Sequence, residues 1–362
     1  MLLSRKTAKI FIVVFSLAIA FCVAINGGIS VYAAQNKNTS ESFISEEVQL
    51  QTDYDTLLAR LVDDEGNIYF SAYNVGSNSQ ALNLKILKMD TSGEIIASCD
   101  GRADVIKQIG NKIYVLTERF DDDFKTKISG VKCRVYSKDL KLEKTYKLTS
   151  AKSCQFADVN SKKVCYLKGE KIYLSDLNGK NKKIICDFKS KELNGAFCQG
   201  VALTEKYAAF TAVKSVNNKR VTYCGAVDLE TGELQLEEQP LLWLPKSFNE
   251  TIIWNSNASG SGSVNSGSSQ IVIFKDGSFS TVKTKTKLES LNAAIVDLEG
   301  NIITTGYSSG EGFYRIYADG KSKKVAFNDA CVCVAANCGV IAHSYTVKIG
   351  NKYHVRTVLI PY

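Results

Sequence analysis

The C-terminal part of the chain contains residue types that bind zinc. Thiolate sulfur and imidazole nitrogen are the usual ligands of a tetrahedral zinc ion. Two of the cysteines stand two residues apart on a predicted strand, which separates them by about 7 Å along its axis, too far for one ion without a bend. We therefore expect core packing and predict neither a metal nor another cofactor. The side chains concerned are Cys331, Cys333, Cys338, His343 and His354.

The same residues do not form a recognisable catalytic pattern. His343 and His354 are the two histidines of the chain, and no serine or cysteine stands in a sequence pattern that would use either as a general base. Glycine-rich phosphate loops are absent from the sequence as well, because the GSGS segment lacks a following Lys-Ser/Thr pair. The sequence therefore identifies no catalytic residue.

Cysteine usage bears on the redox state of the chain. Eleven cysteines occur, ten of them after Cys22, and an even number in an exported protein is typical of a disulfide framework. However, most lie inside apolar strands, such as VCY at 164–166 and IICDF at 184–188, where cysteine behaves as a small buried hydrophobe. We predict mostly free thiols, with Cys333 and Cys338, which flank a predicted hairpin loop, as the one local pair.

Acidic residues recur in two nearly identical stretches, LVDDEGNIYFSAY at 61–73 and IVDLEGNIITTGY at 295–307. Carboxylates there could bind calcium or act in catalysis, but the alternating acids of an EF-hand loop are absent from the sequence. The simpler interpretation is turn chemistry, with side-chain bonds to the backbone and positive φ. The turn residues are Asp63, Gly66 and Asn67 in the first copy, and Asp297, Gly300 and Asn301 in the second.

A repeated strand–turn–strand pattern positions these residues. The two copies end 234 residues apart, and a second hairpin pattern with glycine at its turn recurs from Gly93 to Gly320 about every 45 residues. Units of that length with four short strands are typical of β-propeller blades. Six complete units fit the sequence, and a seventh, beginning at Ala330, has three strands.

The missing strand of the seventh unit is predicted to come from residues 44–52, where Val48 and Leu50 alternate with polar residues. A ring closed by strands from both ends of the chain leaves no exposed edge between its first and last blades. The predicted fold class is therefore all-β: a seven-bladed β-propeller of four-stranded antiparallel blades, closed by an N-terminal strand in the last blade.

The first unit carries a family resemblance. VDDEGNIYFSAY followed by LKMDTSGEIIAS resembles the repeat of NHL and related lactonase-like extracellular β-propellers, which pair a D-x-x-G-N-I-Y hairpin with a later D-x-x-G turn. The resemblance is partial in the sixth unit and covers about a quarter of the chain. It implies a propeller used mainly for binding; some enzymes of related fold use acidic and asparagine side chains around a central metal.

The N-terminus has the features of an export signal. Arg5, Lys6 and Lys9 precede an apolar run, Ile10 to Ile25, and VYA ends at Ala33, a pattern typical of a cleaved signal peptide. We predict a signal peptide at 1–33, with an uncleaved membrane anchor as the alternative, a polar spacer at 34–43 and the propeller domain at 44–362. A lipoprotein is disfavoured because Phe21 precedes Cys22. The expected location is secreted or at the extracellular surface.

The charge of the chain is mildly basic. Loss of residues 1–33 removes three positive charges and lowers the formal charge from +8 to +5. Such a balance favours weak attraction to anionic cell-wall polymers or lipid head groups and is too small for a nucleic-acid-binding surface. We expect no nucleic-acid partner, and membrane association only through an uncleaved N-terminal segment.

The connections between the second and third strands of each unit are the predicted ligand-binding segments. They are expected to be long and dissimilar at 74–82, 119–130, 214–219, 256–269 and 308–312, and loops on a rigid scaffold are where recognition usually occurs. Some residues in or beside these loops combine aromatic surface with charge, which suits ligand contact. The hypothetical contacts are Phe120, Asp121, Asp122, Asp123, Phe124 and Tyr307.

The sequence thus favours an extracellular module that binds an unknown protein or carbohydrate at the face carrying the long loops. One alternative is a propeller hydrolase or lyase acting on a glycan or lactone through carboxylates near the central channel, such as Glu118, Asp121 or Glu311. The other is a structural subunit of an envelope complex, which a large exposed apolar patch would favour.

Overall fold

Runs of β-branched and aromatic residues form the strands of this protein. The structure is a computed structural model, and it describes residues 48–50, 52–76, 81–117, 130–148, 154, 156–217, 219–239, 244–255, 270–283, 291–296, 302–308, 311–316, 321–326, 331–350 and 352–361. These residues include no helix of the length and hydropathy that a membrane span requires. The predicted signal peptide and spacer lie outside the described residues.

The described residues form 28 strands: β1 stands alone, β2 to β25 fall into six sets of four along the chain, and β26 to β28 form a last set of three. The first sets are β1 (Val48–Gln49), which stands alone, then β2 (Thr56–Val62), β3 (Ile68–Val75), β4 (Ala81–Met89) and β5 (Ile95–Asp100). The next two sets are β6 (Val105–Ile109), β7 (Lys112–Thr117), β8 (Val131–Ser137) and β9 (Leu142–Leu148), followed by β10 (Phe156–Val159), β11 (Lys163–Lys168), β12 (Lys171–Asp176) and β13 (Lys183–Asp187).

The later sets follow the same order. They are β14 (Phe197–Leu203), β15 (Tyr207–Val216), β16 (Lys219–Asp228) and β17 (Leu234–Gln239); β18 (Lys246–Phe248), β19 (Thr251–Asn255), β20 (Gln270–Lys275) and β21 (Ser278–Lys283); and β22 (Leu291–Val296), β23 (Ile302–Ser308), β24 (Glu311–Ile316) and β25 (Ser322–Ala326). The chain ends with β26 (Cys331–Asn337), β27 (Val340–Ile349) and β28 (Lys352–Pro361).

The described residues form six hydrogen-bonded sheets rather than the seven separate sheets that the sequence predicted. Five have four strands each, in chain order, and one has eight. The eight-stranded sheet arises because β2 and β28 meet at one parallel bridge, Thr56 with Val355, which joins the first set of strands to the last. Within each set the neighbours are antiparallel, as predicted.

Successive sets lie next to one another, in most cases through their first strands. Apolar side chains of neighbouring sets pack into shared core clusters, for example Tyr166 with Leu116 between the second and third sets and Phe210 with Cys165 between the third and fourth. The all-β arrangement is therefore propeller-like. Neighbouring pairs in contact are β2 with β6, β7 with β10, β10 with β14, β14 with β18, β18 with β22, β22 with β26, and β26 with β2.

The N-terminal strand completes the last set, as the sequence predicted. In β1, Val48 pairs with Leu359 and Gln49 with Val358, and the Leu50 N–H donates to the Thr357 carbonyl over 3.1 Å. Leu50 is 2% exposed and packs in the cluster shared by the first and last sets. Strand β1 thereby covers the outer edge of β28.

Two details of the sequence prediction were wrong. The segments at 214–219 and 308–312 are not long loops, because β15 and β16 are ten-residue strands joined by a two-residue turn, and β23 and β24 are separated by two residues. The first strand of the fifth set begins at Lys246 instead of within LLWLP. Pro245 cannot donate a ladder hydrogen bond, and it lies with Leu244 against Gly200 of β14.

Free thiols are found where the sequence predicted them. Eight described cysteines are outside any disulfide, and six of these are buried. Burial raises the pKa of the Cys133 and Cys186 thiols to about 12, so they remain protonated and unreactive. Cys338 is exposed and is not part of a disulfide, so the prediction of a local pair with Cys333 was wrong.

Candidate functional site

One end of the sheets is made of short turns between the first and second strands. In the first set, Asp63 Oδ1 accepts hydrogen bonds from the backbone N–H groups of Glu65 and Asn67 over 2.9 and 2.8 Å, and Gly66 has a φ of 83°. These contacts confirm the predicted turn role of the first copy of the acidic motif. The second copy, residues 297–301, lies outside the described residues.

These turns hydrogen-bond from one set to the next, which places them at the same end of the molecule. The Asp64 N–H donates to Gln108 of the second set over 3.0 Å, and Asn337 of the last set donates to the Asp63 carbonyl over 3.1 Å. Likewise the Ser161 N–H of the third set donates to Glu205 of the fourth over 2.9 Å.

Ion pairs strengthen this turn face. Lys138 Nζ lies 2.6 Å from Asp64 and 2.7 Å from Glu65. Hydrogen bonding to these two carboxylates raises the pKa of Lys138, and the bond from Lys138 lowers the pKa of Glu65. The acidic turn residues are thus used to hold neighbouring sets together.

A polar cluster lies among the first strands of four consecutive sets. Lys107 of β6 extends its ammonium to Asp158 Oδ2 at 3.2 Å, to the Val159 carbonyl at 2.9 Å, to the Leu203 carbonyl at 2.6 Å and to Ser247 Oγ at 2.8 Å. Asp158 in turn accepts from the Leu203 N–H at 2.7 Å and from the Ser247 hydroxyl at 3.0 Å. One side chain therefore links β6 to β10, β14 and β18.

We call Lys107, Asp158 and Ser247 the inner polar cluster. Its chemistry suits a structural role, which is to hold the four sets of strands together. A serine next to a lysine can be a nucleophile with its base, which requires a lone pair on the amine. Here Lys107 Nζ contacts a carboxylate and two carbonyl oxygens, which are partners for an ammonium group. Because Ser247 also donates to Asp158, its hydroxyl is oriented toward the carboxylate rather than toward a substrate. The sequence did not reveal this cluster.

The opposite end of the sheets carries the connections between second and third strands. Two of these are the long β15–β16 and β27–β28 hairpins, each of ten residue pairs. Their tips turn through Asn217 at a φ of 50° and Gly350 at a φ of 60°. We call this end the hairpin face. By comparison, the β11–β12 hairpin has six residue pairs.

Exposed apolar side chains gather at the hairpin face. Val216 and Ile349 are 39% and 49% exposed, and Tyr353 is 53% exposed. Cationic residues lie opposite them in register, with Lys352 across from Ile349 and Lys348 across from Tyr353. Further exposed apolar residues at this end are Leu82, Phe197 and Leu244.

A histidine–aspartate pair lies near the tip of the β27–β28 hairpin, where His354 pairs with Val347. His354 Nδ1 is 3.3 Å from Asp55 Oδ1, and the other Asp55 oxygen accepts the Val75 N–H over 2.8 Å. Arg356 donates to the Tyr54 carbonyl over 2.6 Å. Sequence analysis missed this pair because its members lie near opposite ends of the chain, and the described contacts tie the strand β28 to the start of β2.

Five of the six predicted ligand contacts lie outside the described residues. Residues 118–129, which hold Phe120, Asp121, Asp122, Asp123 and Phe124, lie outside the described residues, as does the 256–269 segment. Tyr307 belongs to β23, next to the end of that strand at the hairpin face. Of the carboxylates considered for catalysis, Glu118 and Asp121 lie in the same undescribed segment, and Glu311 begins β24.

No group of three or more metal-binding side chains occurs in the part of the chain that the structure describes. His343 is buried in β27, and burial lowers the pKa of its imidazole to about 3. Its ring stacks against Tyr345 with centroids 5.8 Å apart. This histidine packs in the sheet, as the sequence predicted.

Comparisons with known proteins bear on the fold. No protein-family model matches the chain, and no curated protein matches its sequence, so the NHL or lactonase resemblance gains no support. Among solved structures, the β-propeller domain of the Trilobed protease from Pyrococcus furiosus matches with 12% identity and a TM-score of 0.54, over 84% of this chain and 95% of that one.

Two longer peptidase chains are also similar. A prolyl endopeptidase matches with 12% identity and a TM-score of 0.50 over 85% of this chain, and the acylaminoacyl peptidase of Pyrococcus horikoshii with 12% identity and a TM-score of 0.45 over 67%. This chain spans 46% and 42% of their respective lengths. At such identities the likeness concerns the fold alone. The match to the propeller domain from Pyrococcus furiosus, together with the sheet arrangement, shows that this chain has a β-propeller fold.

Proposed function

We propose that this protein is an extracellular binding module built on a seven-bladed β-propeller, with its ligand or partner on the hairpin face. Seven blades follow if the eight-stranded sheet is counted as two, because one parallel bridge joins its halves. The signal-peptide pattern of residues 1–33 supports export, followed by secretion or attachment to the cell surface. The NHL-like hairpin of the first unit fits such a role.

The difference between the two ends of the sheets carries the proposal. The turn face consists of short turns whose polar groups bond to the next set, as with Asn160 donating to the Thr204 carbonyl over 2.8 Å. The hairpin face has projecting strands and exposed apolar side chains. Recognition on repeat scaffolds commonly uses such variable connections.

A photo-crosslinking scan in the source cell tests this proposal. A crosslinking residue placed at Asp122, Val216 or Tyr353 should yield adducts, because these positions lie on the hairpin face or in its connections. Glu94 and Asp276, in exposed turns at the opposite end, are the matched controls. Adducts confined to the control positions, or equal at both ends, would contradict the proposal.

A further inference from the structure

We propose that the tips of the β15–β16 and β27–β28 hairpins dock on the surface of an anionic lipid bilayer. The inference rests on the proposed function, since it names the partner of the hairpin face. It differs from membrane attachment through the N-terminal segment, because it assigns the contact to two hairpins of the folded domain.

The first observation is that both tips project with apolar side chains exposed. The two hairpins have ten residue pairs each, and Val216, Ile349 and Tyr353 remain 39%, 49% and 53% exposed. An aromatic residue with a polar end, such as tyrosine, suits the interface between acyl chains and head groups.

The second observation is the charge at the tips. Segments 214–221 and 347–354 contain four lysines and one arginine and no acidic residue. Arg220, Lys348 and Lys352 are exposed. Basic residues next to apolar ones are the combination that binds anionic head groups while the apolar side chains enter the interface.

The third observation is where the tips lie. The turns of neighbouring sets bond to one another at the opposite end, so both tips emerge on the hairpin face. They belong to the fourth and the last sets of strands, which are not sequence neighbours. Two separated amphipathic tips on one face fit an extended surface better than a single narrow groove, which favours a bilayer over a peptide.

The remaining exposed large hydrophobic residues lie elsewhere and supply a matched control. Ile95, Ile96, Leu142 and Ile184 belong to the outermost strands β5, β9 and β13. Leu142 is 57% exposed, which is similar to Tyr353, yet it lies near the turn face. A bilayer seated on the hairpin face would leave Leu142 in water.

The experiment places a tryptophan reporter at single positions of the full chain. The variants Val216→Trp, Tyr353→Trp and, as control, Leu142→Trp are mixed with vesicles of phosphatidylcholine, with or without phosphatidylglycerol, whose acyl chains carry bromine as a quencher. The signal of the wild-type tryptophans is subtracted. Because the reporter is local, binding of vesicles through the apolar N-terminal segment does not by itself quench it.

We expect quenching at 216 and 353, and not at 142, in vesicles that contain phosphatidylglycerol. In the Tyr353→Trp background, Lys348→Gln with Lys352→Gln should weaken the quenching transition about tenfold or more, since each surface lysine contributes about a fivefold gain in affinity. An unchanged melting temperature shows that these exposed substitutions leave the fold intact.

Three quenching results would overturn the proposal. These are equal quenching at all three positions, no quenching at the tips when vesicles are bound, and equal quenching at the tips with and without phosphatidylglycerol. Binding of soluble polyglutamate at the tips without vesicle binding would instead indicate an acidic polymer. Crosslinks from the hairpin face to a protein or glycan, with unquenched tips, would uphold the proposed function and reject the bilayer.

Discussion

At the residue scale, Lys107 holds together strands that are far apart in sequence. Its side chain is 18% exposed and that of Asp158 is 10% exposed, so this ion pair is largely shielded from water. Removing one partner of such a pair leaves a charge without compensation, which costs more than the pair itself contributes. The pair therefore acts as a constraint on how the inner strands assemble.

We predict that Lys107→Met lowers the free energy of unfolding by about 2–4 kcal/mol, because Asp158 would stay buried without its cation. Urea titration followed by circular dichroism measures the change. The control is Lys112→Met on the adjacent strand, whose partner Glu143 is 38% exposed; its loss should cost less than about 1 kcal/mol. If both variants lost the same free energy of unfolding, the inner polar cluster would not be what holds the four sets together.

The buried His343 makes the free energy of unfolding depend on pH. Burial lowers the pKa of its imidazole to about 3 from an ordinary 6.5, so between these values the unfolded chain binds a proton that the folded chain does not. By linkage, the contribution of His343 to the free energy of unfolding is complete above pH 6.5, and it is lost progressively as the pH falls from 6.5 toward 3.

We predict that His343→Phe removes this part of the acid sensitivity. From pH 7 to pH 5 the wild type should lose about 2 kcal/mol more than the variant, at about 1.4 kcal/mol per pH unit below 6.5. Urea midpoints at the two pH values measure the difference. The His354→Gln variant is the control and should keep the loss; identical pH profiles for wild type and His343→Phe would refute the assignment.

At the element scale, β1 is short but closes an edge. Its two residues pair with β28, and the buried Leu50 that follows fills the core between the first and last sets. Unpaired strand edges promote association between chains, so β1 protects the molecule from aggregation as well as stabilising it.

A chain that begins at Asp53 should therefore be less stable by about 2–5 kcal/mol, from loss of the Leu50 side chain alone, and should aggregate through the uncovered β28. A chain that begins at Ile44 is the matched control, because it keeps β1 and Leu50, and it should keep the stability of the closed ring. Melting temperature and light scattering measure both effects. Equal stability and a monomeric state for the two truncations would contradict the closure of the last set by β1.

Local chemistry explains which elements could be predicted from the sequence. The Asp63 turn and the strand at 48–49 were predictable because turn residues and alternating apolar positions act within a few neighbours. The tips at 214–219 and 308–312 were misjudged because exposed strand ends carry the same polar residues as loops. The inner polar cluster could not be predicted, since only packing of four sets brings Lys107 to Ser247.

At the scale of the whole molecule, the two faces of the propeller differ in what they leave available. Polar groups on the turn face are used in bonds between neighbouring sets, whereas the hairpin face carries the two long hairpins, whose tips expose basic residues together with apolar side chains. A rigid ring with one such face suits recognition of a partner outside the cell, which is the role proposed above.

In the proposed architecture the chain forms one ring of seven four-stranded blades, and residues near the N-terminus complete the last blade. A crystal structure of the protein would show this arrangement in its electron density. We predict seven blades around one axis, with Val48 and Gln49 paired to β28 as the outermost strand of the last blade. A different number of blades, or a last blade whose outer edge is left open, would contradict the seven-bladed ring closed by β1.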